Sequence, residues 1–235
     1  MAPLPASELR LVLFDIDGTL LSAAGVSASA LSEALRRHFG TEVGIEGYDY
    51  SGKTDPQIVR ELMRPEGFDV AAIEERMEAT LTSYVKFLRA RLRPEHVRPK
   101  PGMSALVLAL ARDPRVTLGL LTGNVEPGAR LKVEPMGLNE HFPFGAFGSD
   151  HEDRHLLPAL AVERARSLTG HLFEGKRVVI VGDSIHDVRC GRSLGVRAVA
   201  VATGHTKPDV LHAEEPDALL PDCSDLECAL RAILG

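Results

Sequence analysis

The sequence predicts an α/β protein, in which a Rossmann-like, doubly wound parallel sheet core carries an inserted all-helical unit. Short continuous apolar runs alternate with helical patterns along most of the chain. This alternation is typical of parallel strands that are buried on both faces and connected by helices. The interval between the first two runs, residues 15–115, is far longer than one crossover helix needs, and its patterns are helical.

Four apolar runs are predicted to be strands, and three of them lead directly into polar residues. The predicted strands are Leu9 to Phe14, Val116 to Leu121, Arg177 to Val181 and Arg197 to Val201. Predicted core helices cover Ser104 to Arg112, Gly128 to Met136, Leu156 to Leu168 and Asp187 to Leu194. The insert contains predicted helices at Ser27 to Phe39, Pro56 to Met63 and Ala71 to Leu92. We therefore expect a core of residues 1–21 and 96–235 and a helical insert of residues 22–95.

Composition excludes several classes of protein. Apolar residues make up 44% and charged residues 26% of the 235 residues, as in ordinary globular proteins. The net charge of -6 argues against a nucleic-acid partner or an anionic membrane, and no apolar run approaches the roughly 20 residues that span a bilayer. The N-terminus lacks a secretory pattern, and three cysteines without C-x-x-C spacing indicate reduced thiols. We expect a cytoplasmic location.

Polar residues follow three of the predicted strands, where an open parallel sheet binds its ligands. They are Asp15, Asp17, Thr122, Asn124, Asp183 and Asp187. Two carboxylates that face one pocket repel each other unless a cation lies between them. An oxygen-rich site of this kind suits Mg²⁺. Thr122 and Asn124 offer neutral donors for phosphate oxygens, and Gly123 leaves its N–H exposed.

Three segments, DIDGT, LLTGN and GDSIHD, occur in this order at successive strand ends. Together they resemble the motifs of the haloacid dehalogenase-like superfamily of phosphohydrolases. The resemblance covers the whole core, and the insert lies where that family has an all-helical cap domain. It implies a Mg²⁺-dependent phosphatase that hydrolyses a small phosphorylated metabolite, a phosphate monoester, through an aspartyl-phosphate, similar to phosphoglycolate-phosphatase-like members.

The resemblance also implies a role for each matching residue. Asp15 is then the nucleophile and a metal ligand. Asp17 protonates the leaving oxygen and later activates water, while its backbone carbonyl binds the metal. Thr122 holds the phosphoryl group with help from Asn124. The metal is also bound by Asp183, which Asp187 supports.

The family has a further basic residue, usually Lys, between its second and last motifs. No Lys lies between Lys132 and Lys176 in this chain. The best-placed candidate is Arg154, which would keep the charge and bind oxygens in a bidentate manner. The alternative for Arg154 is a surface ion pair with a neighbouring acidic residue, Glu152 or Asp153.

Two other segments match unrelated motifs. GYDYSGKT, residues 47–54, fits a P-loop, but the preceding segment is short and polar, and Pro56 favours a helix start at that residue. We expect a cap loop facing the site, in which Lys53 either binds an anionic part of the substrate or is solvated. HEDRH, residues 151–155, fits a zinc-protease pattern, but it straddles a predicted helix start.

Several activities remain as alternatives. A phosphomutase acting on a sugar phosphate would keep both Asp15 and Asp17. A non-catalytic binding protein is a further option, because Arg154 replaces the usual Lys. Dehalogenases and phosphonate hydrolases of the family lack the second aspartate, so Asp17 argues against both.

Overall fold

The computed structural model describes residues 5–42, 45 and 47–235. The strands are β1 (Arg10–Phe14), β2 (Leu21–Ser22), β3 (Arg98–Pro99), β4 (Val116–Leu121), β5 (Gly145–Ala146), β6 (Val178–Gly182), β7 (Arg197–Val201) and β8 (Ala218–Leu220). The helices are α1 (Ala24–Phe39), α2 (Asp55–Met63), α3 (Val70–Arg91), α4 (Met103–Ala111), α5 (Glu126–Val133), α6 (Leu157–Thr169), α7 (Ile185–Ser193), α8 (Pro208–Ala213) and α9 (Leu226–Leu234). In this part of the chain, no helix combines the length and apolarity that crossing a membrane requires.

Six of the strands form one parallel sheet in the order β5-β4-β1-β6-β7-β8. Counted along the sheet strands alone, this is the doubly wound order 3-2-1-4-5-6. The direction of winding reverses between β1 and β6, which pair directly. A crevice therefore opens at the carboxyl ends of these two strands, where an open α/β sheet binds its ligands. The predicted fold class is confirmed.

Alternate side chains of β1 pack on opposite faces of the sheet. Val12 and Phe14 belong to a buried apolar cluster that includes residues of α4 and α9. Leu11 and Leu13 belong to a second cluster on the other face, with residues of α6. Burial on both faces explains why the strand sequences are continuously apolar.

The helices α1, α2 and α3 have an apolar cluster of their own. Its buried members include Leu35, Val59 and Leu88. Val125 and Leu131, which belong to the segment after β4, also join this cluster. The short strands β2 and β3 pair antiparallel, so the chain enters and leaves the helical insert side by side.

Several element boundaries differ from the prediction. The predicted helix 128–136 begins at Glu126 and ends at Val133, followed by a 3₁₀ turn that contains Pro135. The predicted helix 187–194 begins earlier, because Ser184 caps it. Strands β2, β3, β5 and β8 and helices α8 and α9 were missed. The four missed strands are too short to form apolar runs.

The two segments with unrelated motifs adopt other conformations. Residues 47–54 contain turns and no strand, and α2 begins at Asp55, one residue before the predicted start. Part of the segment that precedes residue 47 lies outside the described residues. In HEDRH, only the residues from Arg154 onward form a 3₁₀ turn, so His151 and His155 do not share a helical face. Both geometries agree with the rejection of a P-loop and a zinc protease.

The insert docks on the core through the start of α2. The backbone N–H of Asp55 donates to the carbonyl of Gly123 (2.8 Å), and the Asp55 carboxylate accepts from the N–H of Val125 (2.8 Å). The hydroxyl of Thr54 donates to the carbonyl of Glu152 (2.8 Å). A Cβ on Gly123 would overlap the carbonyl oxygen of Lys53, so this close approach requires glycine.

The Asp55 carboxylate is buried at this junction. Burial raises the pKa of Asp55 to about 6 from its ordinary value of 3.8, although the ammonium of Lys132 and the Val125 N–H oppose the change. The folded protein therefore holds the Asp55 proton at pH values where the unfolded chain has released it. It follows that this group makes folding less favourable as the pH rises from about 4 to about 6.

We predict that Asp55→Asn becomes more stable relative to the unsubstituted protein as the pH rises through this window. Asn cannot ionise, but its carbonyl can still accept the hydrogen bond from Val125. The difference in free energy of unfolding should grow by up to about 3 kcal/mol between pH 3 and pH 7. Urea denaturation at a series of pH values measures it.

Asp113→Asn provides a control of opposite sign. Hydrogen bonds from Arg115 lower the pKa of the Asp113 carboxyl, so its ionised form stabilises the fold above its ordinary pKa. The Asp113 variant should therefore lose stability, relative to the unsubstituted protein, as the pH rises. A pH-independent difference for Asp55→Asn would contradict the burial argument.

Candidate active site

A cavity of about 460 Å³ lies between the carboxyl edge of the sheet and the helical insert. The core lines it with charged and polar residues, including Asp15, Asp17, Thr122, Asn124, Lys132, Arg154 and Asp183. The insert contributes a more mixed surface, including Leu31, Tyr48, Tyr50, Lys53, Asp55, Ile58 and Tyr84. Residues predicted from three separate segments of the sequence thus face one cavity.

Three carboxylates converge at the crevice between β1 and β6. Asp15, Asp183 and Asp187 each offer an oxygen, and these oxygens lie within 4.8 Å of one another. All three residues are buried, with exposed fractions of 7%, 4% and 2%. The hydroxyl of Thr19 donates to Asp183 Oδ1 at 2.7 Å. Gly18 has a φ of 92° and lies against the Asp183 carboxylate, where a Cβ would overlap it.

Burial makes the negative charge of this cluster unfavourable. It raises the pKa of Asp15 to about 7, with Asp187 adding to the effect and Arg154 opposing it. Burial likewise raises the pKa of Asp183, and the charges of Asp15 and Asp187 act in the same direction. A cluster of hard oxygen donors that is short of positive charge fits a divalent cation. It is the only such cluster of potential metal ligands in the part of the chain that the structure describes.

Arg154 lies inside the cluster and does not form the surface ion pair that the sequence left open. Its side chain is 4% exposed, and Nη2 lies 3.0 Å from Asp15 Oδ1 and 2.5 Å from Asp187 Oδ1. Burial alone would lower the pKa of Arg154, but these two carboxylates raise it well above its usual value. A permanently charged guanidinium is therefore fixed beside the carboxylate of Asp15.

Asp187 combines two structural tasks. Its Oδ2 accepts hydrogen bonds from the N–H (3.1 Å) and the hydroxyl (2.6 Å) of Ser184, which completes a capping box at the start of α7. Its Oδ1 accepts from Arg154. Both oxygens of Asp187 are therefore engaged by the protein, whereas Asp183 Oδ1 accepts from Thr19 alone among the residues that the structure describes.

A second charged group forms around Asp17. Asp17 Oδ2 accepts from Nδ2 of Asn124 (2.7 Å) and from Nζ of Lys132 (2.7 Å). The amide of Asn124 also binds Lys132 through its oxygen (2.6 Å) and donates to the hydroxyl of Thr122 (2.8 Å). Asn124, predicted to bind substrate, thus has both ends of its amide engaged by protein groups.

The other predicted substrate-binding residues also line the cavity. Thr122 is 1% exposed, and its Oγ1 accepts from the N–H (3.3 Å) and the side chain of Asn124. The ammonium of Lys53 lies 2.6 Å from Glu61 and 3.1 Å from the hydroxyl of Tyr48. Its charge is therefore balanced within the insert.

Sequence reasoning missed three contributors to the site: Lys132, Thr19 and Asp55. The sequence indicated no role for Lys132, which served only as one end of the lysine-free segment that contains Arg154. Its position on α5, four residues after Gly128 and three after Ala129, was an available signal, since small residues on one face allow close packing. Thr19 directly follows the DIDG segment, and Asp55 belongs to the segment already expected to face the site.

Comparisons with known proteins agree with this geometry. The sequence profile of the haloacid dehalogenase-like hydrolases matches residues 12–201. Phosphoglycolate phosphatase of Agrobacterium fabrum is 27% identical over 232 residues, which cover 94% of this chain and 91% of that protein.

Two solved structures share the fold. CbbY from Rhodobacter sphaeroides in complex with phosphate superposes with a TM-score of 0.70 at 20% identity, covering 93% of this chain and 96% of the other. A candidate beta-phosphoglucomutase from Bacteroides vulgatus superposes with a TM-score of 0.68 at 20% identity, covering 96% and 89%. The resemblance inferred from DIDGT, LLTGN and GDSIHD is confirmed. Because the profile matches most of the chain, including all three of these segments, the chain belongs to the haloacid dehalogenase-like hydrolase family.

Proposed function

We propose that the protein is a Mg²⁺-dependent phosphatase that hydrolyses a small phosphate monoester through an aspartyl-phosphate on Asp15. One observation carries the proposal. The carboxylate of Asp15 lies among Asp183, Asp187 and Arg154 at one wall of a cavity that Asp17 and Thr122 also line. This arrangement combines a nucleophile, a proton donor and positive charge around a space of the size that small ligands occupy.

In the first step, an oxygen of Asp15 attacks phosphorus and the bond from phosphorus to the ester oxygen breaks. The ester oxygen takes the proton of Asp17 as it leaves. In the second step, Asp17 accepts a proton from water, whose oxygen attacks the phosphorus of the aspartyl-phosphate. Phosphate is released and the Asp15 carboxylate is restored. Arg154 stabilises the Asp15 carboxylate, and the hydroxyl of Thr122 donates a hydrogen bond to a phosphoryl oxygen.

The acidic cluster fits a resident Mg²⁺. Asp15, Asp183 and the backbone carbonyl of Asp17 would hold the ion. We place Asp187 behind these ligands, because both of its oxygens already accept hydrogen bonds. The ion would neutralise negative charge on the phosphoryl group during transfer.

Residues 22–95 are then a cap domain that covers the site and excludes water during the reaction. The direct contacts of Asp55 and Lys53 with the β4–α5 loop support this role. Lys53 lines the cavity from the cap side. The three cysteines of the sequence are all free, which supports a reducing, cytoplasmic location.

A phosphomutase is the second candidate. Asp17 is retained, as that reaction also requires, and the similar structure from Bacteroides vulgatus is described as a candidate mutase. Free phosphate as the product distinguishes the hydrolase from a mutase, which would yield an isomerised sugar phosphate.

We predict that a panel of small phosphate monoesters contains a substrate from which the protein releases phosphate when Mg²⁺ is present. Activity should disappear on chelation and return with Mg²⁺. Asp15→Asn should lower kcat by at least about 1,000-fold, because the nucleophile is removed. Phosphate release measured by colorimetric assay tests this.

The matched control is Asp209→Asn, which changes an exposed aspartate of α8 and should leave kcat unchanged. Activity that survives in Asp15→Asn, or that returns only with zinc, is incompatible with the proposal. An isomerised sugar phosphate without release of phosphate would favour the mutase.

We also predict that Arg154→Met and Arg154→Lys show whether activity depends on the positive charge of Arg154 or on the shape of its side chain. Loss of the guanidinium leaves Asp15 and Asp187 without their cation, so kcat/KM for Arg154→Met should fall about 100-fold, whereas Arg154→Lys should retain most activity. Arg154→Met should also require less Mg²⁺ for half-maximal activity, because Arg154 no longer competes with the ion for the Asp15 charge. Titration of activity with Mg²⁺ measures this, and an unchanged requirement would contradict it.

A further inference from the structure

Lys132 is a buried cation for which the proposed reaction assigns no role. It lies on α5 and is 3% exposed. Nζ lies 2.7 Å from Asp17 Oδ2 and 2.6 Å from Asn124 Oδ1, while Asn124 Nδ2 lies 2.7 Å from Asp17 Oδ2. Lys132, Asn124 and Asp17 therefore form a closed ring of three hydrogen bonds. All three residues line the cavity.

The ammonium of Lys132 is buried, and the groups that compensate for its lost hydration show which residues it serves. Removing a lysine from water is unfavourable unless charge partners and hydrogen bonds compensate. Burial alone would lower the pKa of Lys132, but the nearby carboxylates of Asp17 and Asp55, together with Tyr84, raise it above its usual value. Lys132 is therefore held as a cation between an aspartate of the core and one of the insert.

The ring fixes the orientation of the Asp17 carboxylate. Two donors converge on Oδ2, one from the loop after β4 and one from α5, so the plane of the carboxyl group is defined. The side chain of Asp17 remains 39% exposed, compared with 4% for Lys132. With Oδ2 bound to the protein, Oδ1 is the oxygen available to carry a proton to and from the cavity. Proton transfer of this kind requires heavy-atom distances of about 2.6–3.2 Å, so orientation decides its efficiency.

We infer that Lys132 is a positioning residue, which holds the carboxyl group of Asp17 so that Oδ1 delivers the proton to the leaving oxygen. The inference rests on the proposed function. Lys132 acts through Asp17 and does not touch the reacting atoms. It has different partners from Arg154, which contacts Asp15 and Asp187.

This role predicts a dependence on the leaving group. A nitrophenolate leaves without much help from a proton, whereas an alkoxide needs one. Lys132→Met keeps a similar shape but removes the donor and the charge. It should therefore reduce kcat/KM for alkyl phosphates at least about 10-fold more than for dinitrophenyl phosphate. Because kcat/KM covers the steps up to breakage of the ester bond, it reports on proton delivery to the leaving group.

Two further variants test whether the effect passes through Asp17. Lys132→Arg keeps a charged donor and should recover most of the alkyl phosphate activity. In a background of Asp17→Asn, Lys132→Met should cause little additional loss, because the residue that it positions is already disabled. Lys176→Met, which removes a surface lysine paired with Asp217, is the matched control and should retain the kinetics of the unsubstituted protein for all substrates.

Circular dichroism and thermal melting establish that each variant is folded. If Lys132→Met does not fold, Lys132→Gln replaces it, since the amide can still donate a hydrogen bond without the charge. Equal losses for alkyl and nitrophenyl phosphates, or full additivity with Asp17→Asn, would overturn the inference. An inactive unsubstituted protein would instead overturn the proposed function, so the two failures are distinguishable.

Discussion

The site depends on the concentration of negative charge at the reversal point of the sheet. Strands β1 and β6 pair in parallel, so the residues that follow them, Asp15 and Asp183, are brought to the same edge. Asp187, from the first turn of α7, completes the cluster. Removal of these groups from water raises the pKa of Asp15 to about 7. Arg154 partly offsets the repulsion, and the remaining charge imbalance is what makes the cluster suited to a divalent cation.

Asp15 and Asp17 occupy different environments although they are two residues apart. The structure gives each aspartate a cationic side chain as a partner: Arg154 contacts Asp15, and Lys132 contacts Asp17. The Asp15 side chain is 10% exposed and that of Asp17 is 39% exposed. A buried carboxylate beside a guanidinium and an accessible one held at a single oxygen are suited to different chemical tasks.

The parts of the fold that sequence reasoning found are those with a local cause. Burial on both faces makes the long strands continuously apolar, and β1, β4, β6 and β7 were recognised for this reason. Strands β5 and β8 have two and three residues, so their pairing is decided by neighbouring strands rather than by their own sequence. Helix α9 was missed even though Asp225 caps it and one of its faces is buried against the sheet.

The site residues also divide into those with a local cause in the sequence and those that depend on distant contacts. Aspartates that directly follow strands were found because the carboxyl ends of parallel strands determine where their side chains lie. Arg154 was identified because the family resemblance implies a basic residue in a segment of this chain that contains no lysine. Lys132 was missed because a lysine within a helix is usually solvated; only the packing of α5 against the insert reveals that its ammonium is buried. Asp55 depends in the same way on a contact between segments about 70 residues apart.

The junction between insert and core links the shape of the cavity to the charged group around Asp17 and Lys132. The β4–α5 loop supplies Thr122, Gly123 and Asn124, and the start of α2 is bonded to that same loop through Asp55. Asp55 also contributes to the electrostatic environment of Lys132. A displacement of the insert would therefore remove both a hydrogen-bond partner of the loop and a counter-charge of Lys132. Coverage of the cavity and the orientation of Asp17 are thus consequences of the same contacts.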